Sequence, residues 1–276
     1  RMSIAPRSSK KKFFGASLED LDKEGRCVDG VPIFFLSVIV YIEHWGTEEE
    51  GIFRVAGNHN ISDAIRTQVE QTGGEYDWGV TGEKLLNATD LMKQFLRELP
   101  TPLLSPEFTS SALSMKPSPE PAQNVAYVSN LLNILPINAQ RVLKLLFMLL
   151  HKVSQVKINR MSPVALATCM GPNLTSMNFG PDVDPFEQTA QLNGLVSFMI
   201  QNAEAIFEKI RSSPSPPASP RAEPSNAATA SSSNANPSSA PTSPRGITKP
   251  MTNPGLEPLP VAPAPEEPVA SSSGTP

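Results

Sequence analysis

Every Phe, Trp and Tyr of this chain lies before residue 212. Large aromatic side chains supply much of the apolar area a core buries, so only the part that holds them can offset the entropy of folding. Proline runs the other way, with 13 of the 29 in residues 1–211 and 16 in the last 65. The chain therefore reads as a basic flexible lead-in over residues 1–12, one folded domain over 13–211, and a disordered Pro/Ser/Ala-rich tail over 212–276.

Within the body the apolar residues recur at helical spacing, and no strand signal of comparable strength appears. Val31 to Trp45 predicts a helix with Pro32 in its first turn and Gly46 at its end; its apolar residues go nearly all the way round, as in a buried helix. Asn58 or Asn60 can cap a second helix with Ile61, Ala64, Ile65 and Val69 on one face, stopped by Gly73-Gly74. A third runs from about Glu83 to Leu99, with Leu85, Ala88, Met92, Phe95 and Leu99 on its buried stripe and Pro100 ending it. The proline-rich stretch from Pro100 to Pro121 reads as an irregular connection. Helices near 121–135 and 138–153 follow, separated by Pro136. Ser162-Pro163 is a helix start and Gly171-Pro172 a stop, and a last helix carries Leu192, Leu195, Val196, Met199, Ala203, Ile206, Phe207 and Ile210. The expected class is all-α.

Charge and cysteine usage exclude several functions. Three basic and four acidic residues fall in the tail, which leaves the body with 20 basic and 23 acidic residues; that balance opposes a nucleic-acid binder. Arg1, Arg7 and Lys10 to Lys12 read as a solvated lead-in, so membrane contact is at most peripheral. Cys27 and Cys169 lack metal-ligand spacing and are expected as free thiols in a reducing compartment, and the scattered His44, His59 and His151 suggest no metal. The most apolar segment, Val31 to Ile42, is too short to span a bilayer. No signal-peptide pattern is visible, and an opening at Arg1 is compatible with a fragment of a longer protein.

Three stretches hold the candidate functional residues. In Glu48-Glu-Glu-Gly-Ile-Phe-Arg-Val-Ala-Gly57, Arg54 has apolar neighbours on both sides, with glycines at 46, 51 and 57 that allow tight turns. The apolar residues can pin the loop while the guanidinium, a planar five-donor fork suited to phosphate oxygens, points out. The bland alternative pairs it with Glu48, Glu49 or Glu50. Lys93 and Arg97, one turn apart, share a helix face opposite the Met92–Phe95–Leu99 stripe. They form either a solvated face, offset by Asp90 and Glu98, or a cationic patch for an acidic partner, with Arg97 also placed to support the Arg54 loop. Asn173 follows Gly171-Pro172 just past an expected helix end, as a turn cap or as an interface amide.

Taken together with Phe13-Phe-Gly-Ala-Ser-Leu-Glu-Asp-Leu21, the stretches Gly51-Ile-Phe-Arg-Val-Ala-Gly57, Asp90-Leu-Met-Lys-Gln-Phe-Leu-Arg-Glu-Leu-Pro-Thr-Pro-Leu-Leu104 and Met161-Ser-Pro-Val-Ala-Leu-Ala-Thr-Cys-Met-Gly-Pro-Asn173 are similar, in order and spacing, to the RhoGAP family of GTPase-activating domains. The resemblance runs from about Phe13 to Ile210. It implies a single all-α RhoGAP-like domain that docks on a Rho-family small GTPase in its GTP-bound state and inserts Arg54 as a catalytic arginine finger in trans. GTP and Mg²⁺ then belong to the partner, so the chain needs no cofactor of its own and is a regulator, not a hydrolase by itself. The resemblance also implies GTPase-binding roles for Lys93, Arg97 and Asn173, and a cytoplasmic location with recruitment to membranes alongside the GTPase. One departure is Val55, where many members carry another basic or a small polar residue.

The alternative function is a RhoGAP-fold module that docks a small GTPase without accelerating hydrolysis; such a binder has no need of Arg54. In the tail, Ser213-Pro, Ser215-Pro, Ser219-Pro-Arg221 and Ser243-Pro-Arg245 are candidate phosphorylation sites, and Pro214 to Pro220 a candidate ligand for a proline-peptide-binding or phosphoserine-binding partner. A flexible linker accounts for the tail equally well. A fragment ending near Ser213 is expected to keep its cooperative melting transition, because the residues removed have little apolar area to bury. Loss of that transition in calorimetry would place part of the tail in the core.

Overall fold

A computed structural model describes residues 12–175, 184–208 and 210; the tail sites and most of the lead-in lie outside these. The order of elements is α1 Leu18–Lys23, β1 Cys27–Val28, β2 Val31–Pro32, α2 Ile33–Trp45, α3 His59–Thr72, α4 Leu85–Glu98, α5 Pro106–Leu113, α6 Pro121–Leu131, α7 Ile137–Gln155, α8 Pro163–Leu174, α9 Pro185–Gln201 and α10 Ala203–Phe207. The all-α expectation is met, with a two-strand hairpin as its one addition among the described residues. No described helix is long and apolar enough to cross a membrane.

The helix α4 is the axis of the half that carries Arg54. It packs against α2, α3 and α8, and its buried stripe is the predicted one: Leu85, Ala88, Met92, Phe95 and Leu99, joined by Leu91 and Leu96. Phe95 meets the rings of Phe13, Phe14, Phe34 and Phe35, with centroids 5.8–6.1 Å apart. Aromatic pairs at this separation add to the area they bury. The N-terminal segment is held in this cluster by its backbone as well, since the amides of Phe13 and Phe14 donate to the two carboxylate oxygens of Glu70 on α3 at 2.6 and 3.0 Å.

Several local expectations are corrected. The helix predicted from Val31 begins at Ile33, because the chain first makes a hairpin in which Val28 faces Val31 and Asp29-Gly30 turns. Both turn residues have positive φ, +52° and +72°, as the tight turn that matches strand twist requires. Nor is α2 buried all round: Val40 is 64% exposed, while Phe34, Phe35, Val38, Ile39, Tyr41 and Ile42 face inward. In α3 the inner face is Ser62, Ile65 and Val69, and Ile61 and Ala64 are exposed. The rotation follows from a polar contact, as Asn87 of α4 donates from Nδ2 to Ser62 Oγ and to the Asn58 carbonyl.

The stretch from Pro100 to Pro121 contains a helix, α5, capped by Ser105 Oγ, which accepts from the Phe108 amide at 3.2 Å, with Pro106 in the first turn. At the other end of the domain Gly171-Pro172 does not stop its helix. α8 continues through Pro172 to Leu174. The end is closed from outside, since the Leu104 amide donates to the Leu174 carbonyl at 2.8 Å, and in the last turn Asn173 Nδ2 donates to the Cys169 carbonyl at 2.8 Å.

Phe95→Ala is expected to lower unfolding free energy by about 3–5 kcal/mol, because the vacated space is walled by four other rings that cannot all collapse into it. Urea unfolding followed by tryptophan fluorescence measures it; an unchanged midpoint would mean that the cluster is not shared core.

Candidate functional site

The loop between α2 and α3 is folded by its own backbone. Gly51 takes φ +73°, its amide donates to the Asn159 carbonyl at 2.8 Å, and its carbonyl accepts from the amides of Arg54 and Val55 at 2.8 and 2.9 Å. Ile52 and Phe53 are buried, at 0 and 1% exposure, whereas Val55 is 42% exposed and Ala56 is exposed too, so of the apolar neighbours expected to anchor the outward arginine only the preceding pair does so. Phe53 has φ +68°, a left-handed conformation for a bulky L-residue. Such a residue carries about 1–3 kcal/mol of backbone strain and persists only where its surroundings over-determine it. Here they do: the ring is inside, and Lys93 Nζ donates to the Phe53 carbonyl at 3.1 Å.

This strained turn sets Arg54 on the surface. The guanidinium lies back along the loop over Gly51, where an added Cβ would sit 3.2 Å from Arg54 Nη2. Among the described residues Arg54 makes no ion pair, and Glu50, one of its candidate partners, is bonded by Arg160 at 2.9 Å. The far end of the loop is pinned by Gly57, whose amide donates to Asp90 Oδ2 at 2.6 Å. A side chain there would press on α4, because a Cβ would stand 2.7 Å from the Asn87 amide nitrogen.

The two cations of α4 have different surroundings. Lys93 is largely sequestered, its side chain 15% exposed, with Asp90 Oδ1 at 2.8 Å. It, and not Arg97 as the sequence suggested, makes the bond to the Arg54 loop. Arg97 is exposed and donates from Nη1 to Asn173 Oδ1 at 2.7 Å. Of the expected charge partners Asp90 does offset Lys93, but Glu98 is bonded by Arg66 at 2.6 and 2.8 Å and by Gln94. Asn173 sits inside α8 rather than beyond its end, 6% exposed, with its amide between the Cys169 carbonyl and the Arg97 guanidinium.

Burial pushes the thiol pKa of Cys169 up, while the positive charges of Lys93 and Arg54 oppose the rise. Cys27, far from them in sequence, has its thiol pushed up to about 12 by burial and by the Asp22 carboxylate. Both cysteines are free thiols.

Asn159 escaped the sequence reading. It is fully buried, donates from Nδ2 to the carbonyls of Thr47 and Val153 at 2.7 and 2.8 Å, and accepts from the Met161 amide at 2.8 Å. Its own carbonyl receives Gly51, so this one residue joins the start of the loop to the end of α7. Nothing in Lys157-Ile-Asn-Arg160 signals that role, because every partner but Met161 is distant in the chain or belongs to α7.

The family model of the RhoGAP domain matches residues 32–178. Human Rho GTPase-activating protein 4 is 31% identical over 219 residues, 78% of this chain and 23% of that protein. Rho GTPase-activating protein gacY of Dictyostelium discoideum is 30% identical over 71% of this chain and 27% of its own length. The chain thus spans about a quarter of the length of these relatives. The crystal structure of human Rho GTPase activating protein 15 superposes with a TM-score of 0.65 and 25% identity, covering 72% of this chain and 93% of that one.

Asn159→Ala is expected to destabilise the domain by roughly 1–3 kcal/mol for the buried carbonyls and amide left without partners. Thermal unfolding measures the loss, and a variant as stable as the parent would remove Asn159 as the anchor of the loop.

Proposed function

The chain belongs to the RhoGAP family, and from that premise we propose that it accelerates GTP hydrolysis by a Rho-family small GTPase by presenting Arg54 to the partner's active site. The observation that carries this reading is the contrast within the loop, an exposed guanidinium that has no ion pair among the described residues, on a backbone tied by hydrogen bonds at Gly51, Phe53 and Gly57. A cation fixed in this way needs little reorganisation when it meets charge developing on a phosphoryl group, which is where preorganised electrostatics lower a barrier. The planar fork also offers several aligned donors to phosphate oxygens, whereas an ammonium offers one compact charge.

The relatives named as GTPase-activating proteins support a Rho-family partner for this domain. Arg97 is the exposed cation beside the loop face, and its bond to Asn173 presets its direction; in this reading it meets the acidic surface of the GTPase. Lys93 enters more through the loop it holds than through direct docking. A module that only binds a GTPase is the competing reading, and it leaves the rigid display of Arg54 without a use.

Arg54→Ala is expected to fold normally and to bind the GTP-loaded partner with near-parental affinity. In single-turnover phosphate release across a panel of Rho and Rac GTPases, it should lose most of the ~10³–10⁵ acceleration that such an arginine supplies. Arg54→Lys should recover only part. Aluminium fluoride with GDP, which imitates the transferring phosphoryl group, should tighten parental binding far more than Arg54→Ala binding. Full activation by the alanine variant would show that the arginine acts elsewhere or not at all.

A further inference from the structure

We propose that Asp90 is a positioning residue for the Arg54 loop, acting through Lys93 and Gly57; the proposal rests on the reading of Arg54 as the group delivered to the GTPase. The carboxylate divides its two oxygens between separate tasks. Oδ2 accepts from the Gly57 amide at 2.6 Å, and Oδ1 holds the Lys93 ammonium at 2.8 Å. The ammonium passes the restraint on by donating to the Phe53 carbonyl at 3.1 Å. One side chain on one turn of α4 therefore ties the loop on both sides of Arg54, at the residue before it and three residues after it.

The chemistry of the site requires an anion at this position. Lys93 is mostly removed from solvent, its side chain 15% exposed, and a cation so placed needs a counter-charge to stay there. The other acid of the α4 face, Glu98, is taken by Arg66 and Gln94. Without the Asp90 charge the ammonium gains by turning out to water, and the Phe53 carbonyl loses its donor. Phe53 is the residue in the left-handed conformation, so that bond opposes relaxation of the strain to an ordinary φ. Relaxation there would swing the next residue, Arg54. At the other end, a carboxylate makes a stronger, charge-assisted bond to the Gly57 amide than a neutral amide side chain would. Gly57 also lies against the α4 backbone, where the Asn87 nitrogen is close enough to exclude any Cβ. The loop thus cannot shift toward the helix, and Asp90 prevents it from lifting away.

Asp90→Asn in the full chain tests this, because it keeps the shape and one acceptor while removing the charge. With a GTP-loaded Rho-family GTPase, the maximal single-turnover rate should fall roughly 10–100-fold, the effect of a misplaced catalytic group. The half-saturating concentration should stay within about twofold, since the affected interaction belongs to the transition state. In an Arg54→Ala background the same change should cause no further loss. Amide hydrogen exchange of the peptide covering residues 51–57 should quicken, while that of α7 stays as in the parent. A parental maximal rate with unchanged exchange in the loop would overturn the proposal. So would an equal loss in the Arg54→Ala background, or faster exchange in α7, since either makes Asp90 a general stability residue. If Arg54→Ala itself activates fully, the reading of Arg54 fails, and the exchange of residues 51–57 decides separately whether Asp90 holds the loop.

Discussion

The carbonyl of Phe53 accepts a hydrogen bond from Lys93, and the ring of the same residue is buried in the core. Both constraints act on a residue whose backbone is left-handed, a conformation that L-side chains avoid. A strained turn of this kind is a poor structure by itself and a useful one when held, because its geometry is single-valued. The residue that follows is Arg54. Its exposure and direction follow from what is done to Phe53, and the strain is compensated by burial and hydrogen bonding around it.

That arrangement depends on α4 being at once closely packed and lined with polar groups that reach the loop. Its inner stripe enters the aromatic cluster, which fixes the helix in place. Its outer face carries Asn87, Asp90, Lys93 and Arg97 at successive spacings of three and four, so they line one side of the cylinder. From that side Asn87 reaches α3, Asp90 and Lys93 reach the loop, and Arg97 reaches Asn173 on α8. The like charges at positions 93 and 97 do not simply repel, because each has acquired its own polar partner. A rigid core helix thereby serves as the ruler against which the loop and α8 are both set.

Pro172 illustrates how tertiary context overrides a local rule. A proline within a helix removes a backbone bond and crowds the preceding turn. α8 tolerates it because the helix has only two residues left to run, because the Asn173 side chain bonds the Cys169 carbonyl, and because the Leu104 amide closes the last turn. The side chain placed there by the extra turn is the one that orients Arg97.

Helical spacing of apolar residues was enough to make the class and most helices legible. The stripe of α4 and the caps Asn58 and Ser162 appear where local chemistry puts them, since caps and amphipathic faces depend on neighbours within one turn. Two local signals were readable and passed over: Asp29-Gly30, a turn that only positive φ accommodates, and Ser105-Pro106, the same cap-then-proline pair as Ser162-Pro163. Arg54 could also be picked out, because a lone arginine between apolar pairs and glycines is an unusual pattern. What the chain alone did not determine was who holds whom. That Lys93 and not Arg97 supports the loop, that Asn159 anchors its start, that Glu98 serves Arg66, and that Asn173 lies within a helix all depend on partners some 30 to more than 100 residues away. Hydrogen bonds over such separations exist only once packing has brought the helices together, so the sequence by itself determined the helices and the exposed arginine, and only the tertiary structure decided what keeps that arginine in place.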